Sequence, residues 1–186
     1  MPSRIDEELM PSPSLSYGAQ KLMGEIMIHD MSRRGLIDGR SLRLPGIVAR
    51  PQASGMLSAF LSELIRCLAA GQPFTCPVSA DGMSWWMSRA CVVENLLHAA
   101  RLDPDRARQR SAWLLPVLHA SIGDVVDALA KVHGADRRGL VTYQPNAALQ
   151  AQFASYPPLV CPASLAAGFR SDGTLENLVT RALEGP

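Results

Sequence analysis

The stretch SYGAQKLMGEIMIHDMSRRG, residues 16–35, decides how the rest of the chain is interpreted. Apolar residues recur in it at helical spacing, which predicts a helix over residues 17–34. These apolar residues are Leu22, Met23, Ile26, Met27 and Met31. Ser14 or Ser16 is expected to cap the start of the helix. Gly35 is expected to end it, after two arginines that suit the negative end of the helix dipole.

Tyr17 and Lys21 are four residues apart, so on a helix they lie on one face together with Gly24. A phenol is a poor base at neutral pH, and a neighbouring ammonium favours the phenolate. Such a pair can take a proton from an alcohol while a hydride leaves the carbon, or return a proton to a carbonyl. The lysine's other donors can hold ribose hydroxyls. Spacing alone leaves a second interpretation open, an exposed tyrosine beside a solvated lysine.

Short strands and helices alternate after this helix, which indicates the α/β class. The segment 41–50 reads as a buried strand that Pro45 interrupts. Further strands are predicted at 74–78, 83–88, 111–118 and 139–145. Further helices are predicted at 54–71, 89–102, 121–134, 146–156 and 174–185, with Ser121 and Thr174 as caps. Residues 1–13 read as a loop.

Composition excludes several classes of function. The chain has 186 residues, a net charge of +1 and no basic tract, so we expect no nucleic-acid partner. No apolar run is long enough to cross a membrane, and no secretory signal is visible, so a cytoplasmic protein is expected. The cysteines and histidines match no metal-site spacing, which predicts free thiols and no metal.

Several segments resemble one known family, in the same order along the chain. They are PSPSLSYGAQKLMGEIMIHDMSRRGLIDGRSLRLPGIVARP, VENLLHAARLD, LLPVLHASIGDVVDALAKVHG and AAGF. Together they are similar to the extended short-chain dehydrogenase/reductases of the NAD-dependent epimerase/dehydratase type. Within that family they are most like the D-erythronate dehydrogenase group.

The resemblance implies a fold and a division of the chain. It implies the C-terminal portion of such an enzyme, with the last part of a Rossmann-type parallel sheet and a small mixed α/β substrate-binding lobe. Residues 1–50 would be the remnant of the Rossmann-type domain. Residues 51–186 would be mostly the substrate-binding lobe, with parts returning to the Rossmann-type domain.

The resemblance also implies roles for particular residues. Tyr17 matches the proton-transferring tyrosine, and Lys21 matches the lysine that binds the nicotinamide ribose of NAD. The segment beside the nicotinamide ring is matched by Pro45, Gly46, Ile47 and Val48. The implied reaction is NAD-dependent oxidation of a small sugar acid, D-erythronate, at the carbon beside its carboxylate.

Two further residues are candidates for contacting the substrate. A guanidinium can bind a carboxylate with two parallel hydrogen bonds, which favours Arg50, although a surface arginine at a strand end fits equally well. Trp85 and Trp86 are adjacent, so on a strand they face opposite sides. One of them, Trp85 in our interpretation, could line a pocket; core packing with partial exposure is the alternative.

The chain departs from the family pattern in one important respect. It has no G-x-x-G-x-x-G loop, and the family's catalytic serine would lie just upstream of Met1. We therefore expect a C-terminal fragment that has little or no activity by itself. Two alternatives stay open, a nucleotide-sugar epimerase/dehydratase and a non-catalytic relic or binding lobe. The helix at 17–34 could form a homodimer interface. NADP stays open as an alternative to NAD, and the chain could be a truncated gene product, the product of a misplaced start or a relic.

Overall fold

A computed structural model describes residues 2–49 and 57–184. The helices are α1 (Ser16–Arg33), α2 (Ala59–Ala69), α3 (Arg89–Arg101), α4 (Pro104–Ala107), α5 (Ile122–His133), α6 (Ala147–Phe153), α7 (Pro162–Ala167) and α8 (Leu175–Leu183), with a 3₁₀ turn over Ala135–Leu140. The strands are β1 (Ile5–Asp6), β2 (Leu42–Arg43), β3 (Ile47–Val48), β4 (Phe74–Cys76), β5 (Met83–Ser88), β6 (Trp113–Leu114), β7 (Leu118–Ser121), β8 (Val141–Tyr143) and β9 (Leu159–Val160).

The strands form small, mainly parallel pairings, as expected for the α/β class. β5 lies between β3 and β7, parallel to β3 and antiparallel to β7. β2 pairs with β6, β4 with β8 and β1 with β9, each in parallel. Parallel neighbours need long crossover connections, and helices or extended segments supply them here. The predicted fold class is confirmed.

Two hydrophobic clusters hold these elements together. The larger one packs α2, α5 and α8 around β5, with Trp86, Leu64 and Leu129 fully buried. The smaller one joins α3 to Trp113 and Phe169, whose ring centroids are 5.5 Å apart. Because neighbouring residues on a strand face opposite sides, Trp86 enters the larger cluster while Trp85 faces the other way and is only half-buried.

Helix ends follow the predictions with one exception. α5 has a reciprocal capping box, in which the Ser121 hydroxyl accepts from the Asp124 N–H and the Asp124 carboxylate accepts from the Ser121 N–H. The Thr174 hydroxyl accepts from the Asn177 N–H at the start of α8. The predicted serine cap of α1 is wrong. The cap position is Leu15, and Ser16 already lies inside the first turn, where a side chain no longer caps.

Residues 2–13 are more ordered than the predicted loop. β1 pairs with β9, and the Glu7 carboxylate accepts hydrogen bonds from the Ala163 and Ser164 N–H groups at 2.8 Å each. These contacts join the amino-terminal segment to the start of α7, more than 150 residues later in the chain. Pairing with a distant partner, rather than local propensity, makes this segment a strand.

Proline shapes two other strands. The segment 41–50 is interrupted at Pro45 as predicted, and the interruption separates β2 from β3. The predicted strand at 111–118 is instead two elements, β6 and the start of β7, with Pro116 between them. α4, α7 and β9 were not predicted. The proposed division at residue 50 stays a prediction, and residues 54–56 of the predicted second helix lie outside the described residues.

All four cysteines are free thiols, as predicted. Within residues 2–49 and 57–184, no helix combines the length and the apolar character that crossing a bilayer requires.

Candidate active site

α1 presents Tyr17 and Lys21 on one face. The Lys21 Nζ lies 5.5 Å from the centroid of the Tyr17 ring, within the range of a cation–π contact. The ring is 70% exposed. The ammonium is therefore held close to the phenol, and both groups are accessible to a ligand.

A groove of about 730 Å³ runs between α1 and the residues that lead into β2. Tyr17, Lys21 and Gly24 line it from the helix, and Arg40 and Ser41 line it from the opposite side. A side chain at Gly24 would meet open space, so this part of the helix is free to accept a ligand. The Ser41 hydroxyl is buried without a hydrogen-bond partner in the described structure. The groove thus offers a ligand the Lys21 ammonium and the Tyr17 phenol, whereas the Ser41 hydroxyl is shielded from solvent.

One ion pair fixes α1 against β2. Arg43 donates to Glu25 through Nε at 3.0 Å and through Nη2 at 2.6 Å, a two-pronged arrangement in a half-buried setting. The pair joins the middle of the helix that carries Tyr17 to the strand that leads to Pro45. Sequence reasoning missed both residues, because a contact across 18 positions has no local signature.

A second cavity, of about 610 Å³, adjoins the groove. We call it the apolar cavity. Its described lining residues are Pro2, Ile5, Asp6, Leu9, Met10, Pro11, Ser12, Arg43, Leu44, Pro45, Trp85, Leu114, Leu115 and Leu159. Arg43 and Leu44 line both the groove and the apolar cavity, so the two spaces lie side by side. The contribution of the amino-terminal segment was not predicted, although the apolar residues Ile5, Leu9 and Met10 could have indicated it.

Trp85 is held firmly in the wall of the apolar cavity. Its Nε1 donates to the Pro157 carbonyl at 2.7 Å, and its ring lies 4.7 Å from the Tyr156 ring. Gly46 allows the strands to approach, since a Cβ there would lie 2.8 Å from the Trp85 carbonyl oxygen. Trp85 and Pro45 therefore meet in one wall.

The predicted site residues fall into separate groups. Tyr17 and Lys21 line the groove, while Pro45 and Trp85 line the apolar cavity. Gly46, Ile47 and Val48 line neither space, and the Val48 side chain is buried in the larger core cluster. The assignment of Pro45, Gly46, Ile47 and Val48 to the nicotinamide ring stays a prediction. Arg50 lies outside the described residues.

Among the described residues, no group of three or more histidine, cysteine, aspartate or glutamate side chains could hold a metal ion.

Comparison with known proteins finds relatives by sequence and by structure. No family model matches the chain. The D-erythronate dehydrogenase of Cupriavidus necator is 31% identical over 99% of this chain and 57% of its own length. That of Haemophilus influenzae is 30% identical over 99% of this chain and 59% of its own length.

A solved structure agrees with these sequence matches. The nucleoside-diphosphate-sugar epimerase from Agrobacterium tumefaciens is 31% identical and has a TM-score of 0.88, over 96% of this chain and 53% of that chain. This chain therefore spans little more than half the length of the relatives that it matches. The chain is related along nearly its whole length to the D-erythronate dehydrogenases, and its fold is that of the C-terminal part of a Rossmann-type epimerase/dehydrogenase.

Proposed function

We propose that this chain carries the proton-transfer pair and substrate cavity of an NAD-dependent oxidoreductase of the D-erythronate dehydrogenase type. Tyr17 would take the proton of a substrate hydroxyl, and Lys21 would favour its phenolate and hold the nicotinamide ribose. NAD, when bound, would accept the hydride. The assignment of NAD rests on the family resemblance, and D-erythronate is the substrate that the names of the relatives give.

The observation that carries the proposal is the Tyr17–Lys21 geometry at the edge of an open groove. The Lys21 ammonium lies 5.5 Å from the centroid of the Tyr17 ring, so the two groups that the resemblance assigns to proton transfer stand together at one edge of the groove. The adjoining groove offers space for a ligand, with Arg40 and Ser41 on the side opposite Tyr17. Glu25 and Arg43 hold the helix in place while a ligand enters.

Because we expect little or no activity from this chain by itself, the test is hydride transfer by this chain together with a nucleotide-binding half, followed as NAD reduction with small hydroxy acids and alcohols. We expect Tyr17→Phe to lower kcat by about 100-fold or more, because general acid–base catalysis contributes about that much. Lys21→Gln is expected to lower kcat and raise the KM for NAD.

Matched controls are available because the chain has three tyrosines and two lysines. Tyr143→Phe on β8 and Lys131→Gln on α5 remove the same chemical groups at a distance from α1. Full activity in Tyr17→Phe, or equal losses in the control variants, would contradict the proposal.

An epimerase is the second candidate, because the Agrobacterium relative is described as a nucleoside-diphosphate-sugar epimerase. Binding of a nucleoside diphosphate discriminates between the two candidates. Saturable binding of uridine diphosphate, measured by calorimetry and lost on removal of the groove cations Lys21 and Arg40, would favour the epimerase.

A further inference from the structure

The apolar cavity is bounded by three parts of the chain that meet only in the folded state. The amino-terminal segment contributes Ile5 and Leu9, the β2–β3 junction contributes Leu44, and β6 and β9 contribute Leu114 and Leu159. Together with Trp85, these side chains make a wall that is almost entirely hydrocarbon. A volume of about 610 Å³ lies within the range typical of sites for organic ligands.

The charged groups in this wall are already paired. Among the described lining residues, these are Asp6 and Arg43. The Asp6 carboxylate binds Arg4 at 3.0 Å and accepts from the Glu8 N–H at 3.2 Å. Arg43 binds Glu25 through two nitrogens. Asp6 carries no positive charge to attract a carboxylate, and the Glu25 carboxylate already occupies the Nε and Nη2 donors of Arg43, which leaves Nη1 as the remaining cationic donor of this wall.

We propose that the apolar cavity takes the hydrocarbon body of the substrate. The ligand class is a secondary alcohol, or the corresponding ketone, that carries a branched or aromatic group. A polyhydroxy acid would lose hydration along this mostly hydrocarbon wall and find few hydrogen-bond partners in return, which disfavours it. An apolar group gains from leaving water. This inference rests on the proposed function, because it places the reacting oxygen towards the Tyr17 groove, which Arg43 and Leu44 share with the cavity.

The binding test uses the fluorescence of Trp85 and needs neither NAD nor turnover. Trp86 and Trp113 are buried, so Trp85 is the tryptophan that a ligand in the cavity would contact. Phenylacetone, D-erythronate and nicotinamide are titrated in turn into the full chain. We expect saturable quenching by phenylacetone, with a dissociation constant about ten-fold or more below that of D-erythronate. Equal or tighter binding of D-erythronate overturns the inference, and so does binding of nicotinamide without phenylacetone.

Two neighbouring residues on β9 provide a matched pair of variants. Leu159 lines the cavity, whereas Val160 is exposed and faces the opposite side of the strand. Leu159→Asn is expected to weaken phenylacetone binding about ten-fold, and Val160→Asn is expected to leave it unchanged. If circular dichroism shows that Leu159→Asn is misfolded, the half-exposed Leu44→Gln takes its place. Equal binding by Leu44→Gln or Leu159→Asn and the parent chain overturns the inference.

A final variant separates the reporter from the site. Trp85→Phe should abolish the quenching, while calorimetry still detects phenylacetone; quenching that persists without Trp85 would overturn the assigned location. A preference for D-erythronate in these titrations refutes only the substrate class and leaves the role of Tyr17 intact. An active Tyr17→Phe enzyme would refute the proposed function, whatever the titrations show.

Discussion

The Asp172 carboxylate is fully buried, and it contacts residues of two different elements, Ser88 at the end of β5 and Arg181 on α8. It accepts from the Ser88 N–H at 2.8 Å, from the Ser88 hydroxyl at 2.6 Å and from Arg181 Nη1 at 3.1 Å. It therefore joins the end of β5 to α8. Burial, and next the negative charge of Asp172, raise the pKa of the nearby Cys91 thiol to about 12. Cys91 is accordingly protonated and unreactive at neutral pH.

Removing the Asp172 carboxylate should destabilise the fold. In Asp172→Ala the Ser88 N–H and the Arg181 guanidinium lose their buried partner, so we expect a loss of about 3 kcal/mol in the free energy of unfolding. Urea unfolding followed by circular dichroism measures it. Asp105→Ala is the control, because Asp105 is almost fully exposed beside Arg108 and its loss should change stability by less than about 0.5 kcal/mol. Similar losses in the free energy of unfolding for both variants would show that the buried Asp172 contacts stabilise the fold no more than an exposed ion pair does.

At the scale of single elements, α5 begins with a side chain that caps it, Ser121, whereas the cap position of α1 is Leu15, which forms no side-chain cap. Ser121 predicts the start of α5 from the sequence, and in the structure it caps the helix as part of a capping box with Asp124. The hydrogen bonds from the Ser121 hydroxyl and N–H lower the pKa of Asp124 below its usual value. A carboxylate with a lowered pKa stabilises the fold above its unfolded pKa, near about 3.9, and loses that contribution as the pH falls through its folded pKa.

Ser121→Ala should therefore have an effect that depends on pH. We expect it to cost about 1 kcal/mol at neutral pH, the usual value for a lost helix cap. The difference from the parent chain should narrow below about pH 4, as the pH falls from the unfolded pKa of Asp124 towards its lower folded pKa. Thermal or urea unfolding across this pH range measures it. Thr174→Ala is the control, since its capping partner Asn177 does not titrate. A constant difference for Ser121→Ala would mean that Asp124 contributes no acid-sensitive stability.

What could be predicted from sequence follows the range of each interaction. The Tyr17–Lys21 pair and the caps at Ser121 and Thr174 depend on residues three or four apart, so their spacing is visible in the sequence. β1 has only two residues in a polar segment, and its pairing with β9 is decided by tertiary packing. The Arg43–Glu25 pair and the wall around Trp85 depend in the same way on contacts between distant segments.

At the scale of the whole molecule, the outer face of α1 has no cover among the described residues. Met23, Ile26 and Met27 are each about three-fifths exposed. Apolar groups this exposed on one helix face often mark an interaction surface. We propose that two copies of the chain associate through this face, as the apolar stripe at 17–34 led us to expect.

The association can be tested with charge. Met23→Glu combined with Met27→Glu should convert a dimer to a monomer, because four carboxylates would meet across the two-fold interface. Light scattering after size-exclusion chromatography measures the mass. Leu97→Glu on α3, where an apolar side chain is similarly exposed, should leave the dimer intact. A monomeric parent chain, or dissociation caused only by Leu97→Glu, would contradict the proposal.

The Glu7 bridge to α7 has a practical consequence for anyone handling this protein. Because the bridge fixes Glu7 to α7 beside the β1–β9 pairing, and because Pro2 lines the apolar cavity, an affinity tag placed ahead of Pro2 would emerge beside that cavity. Ligand measurements would then report partly on the tag. A tag fused at the carboxyl end avoids placing a fusion ahead of Pro2.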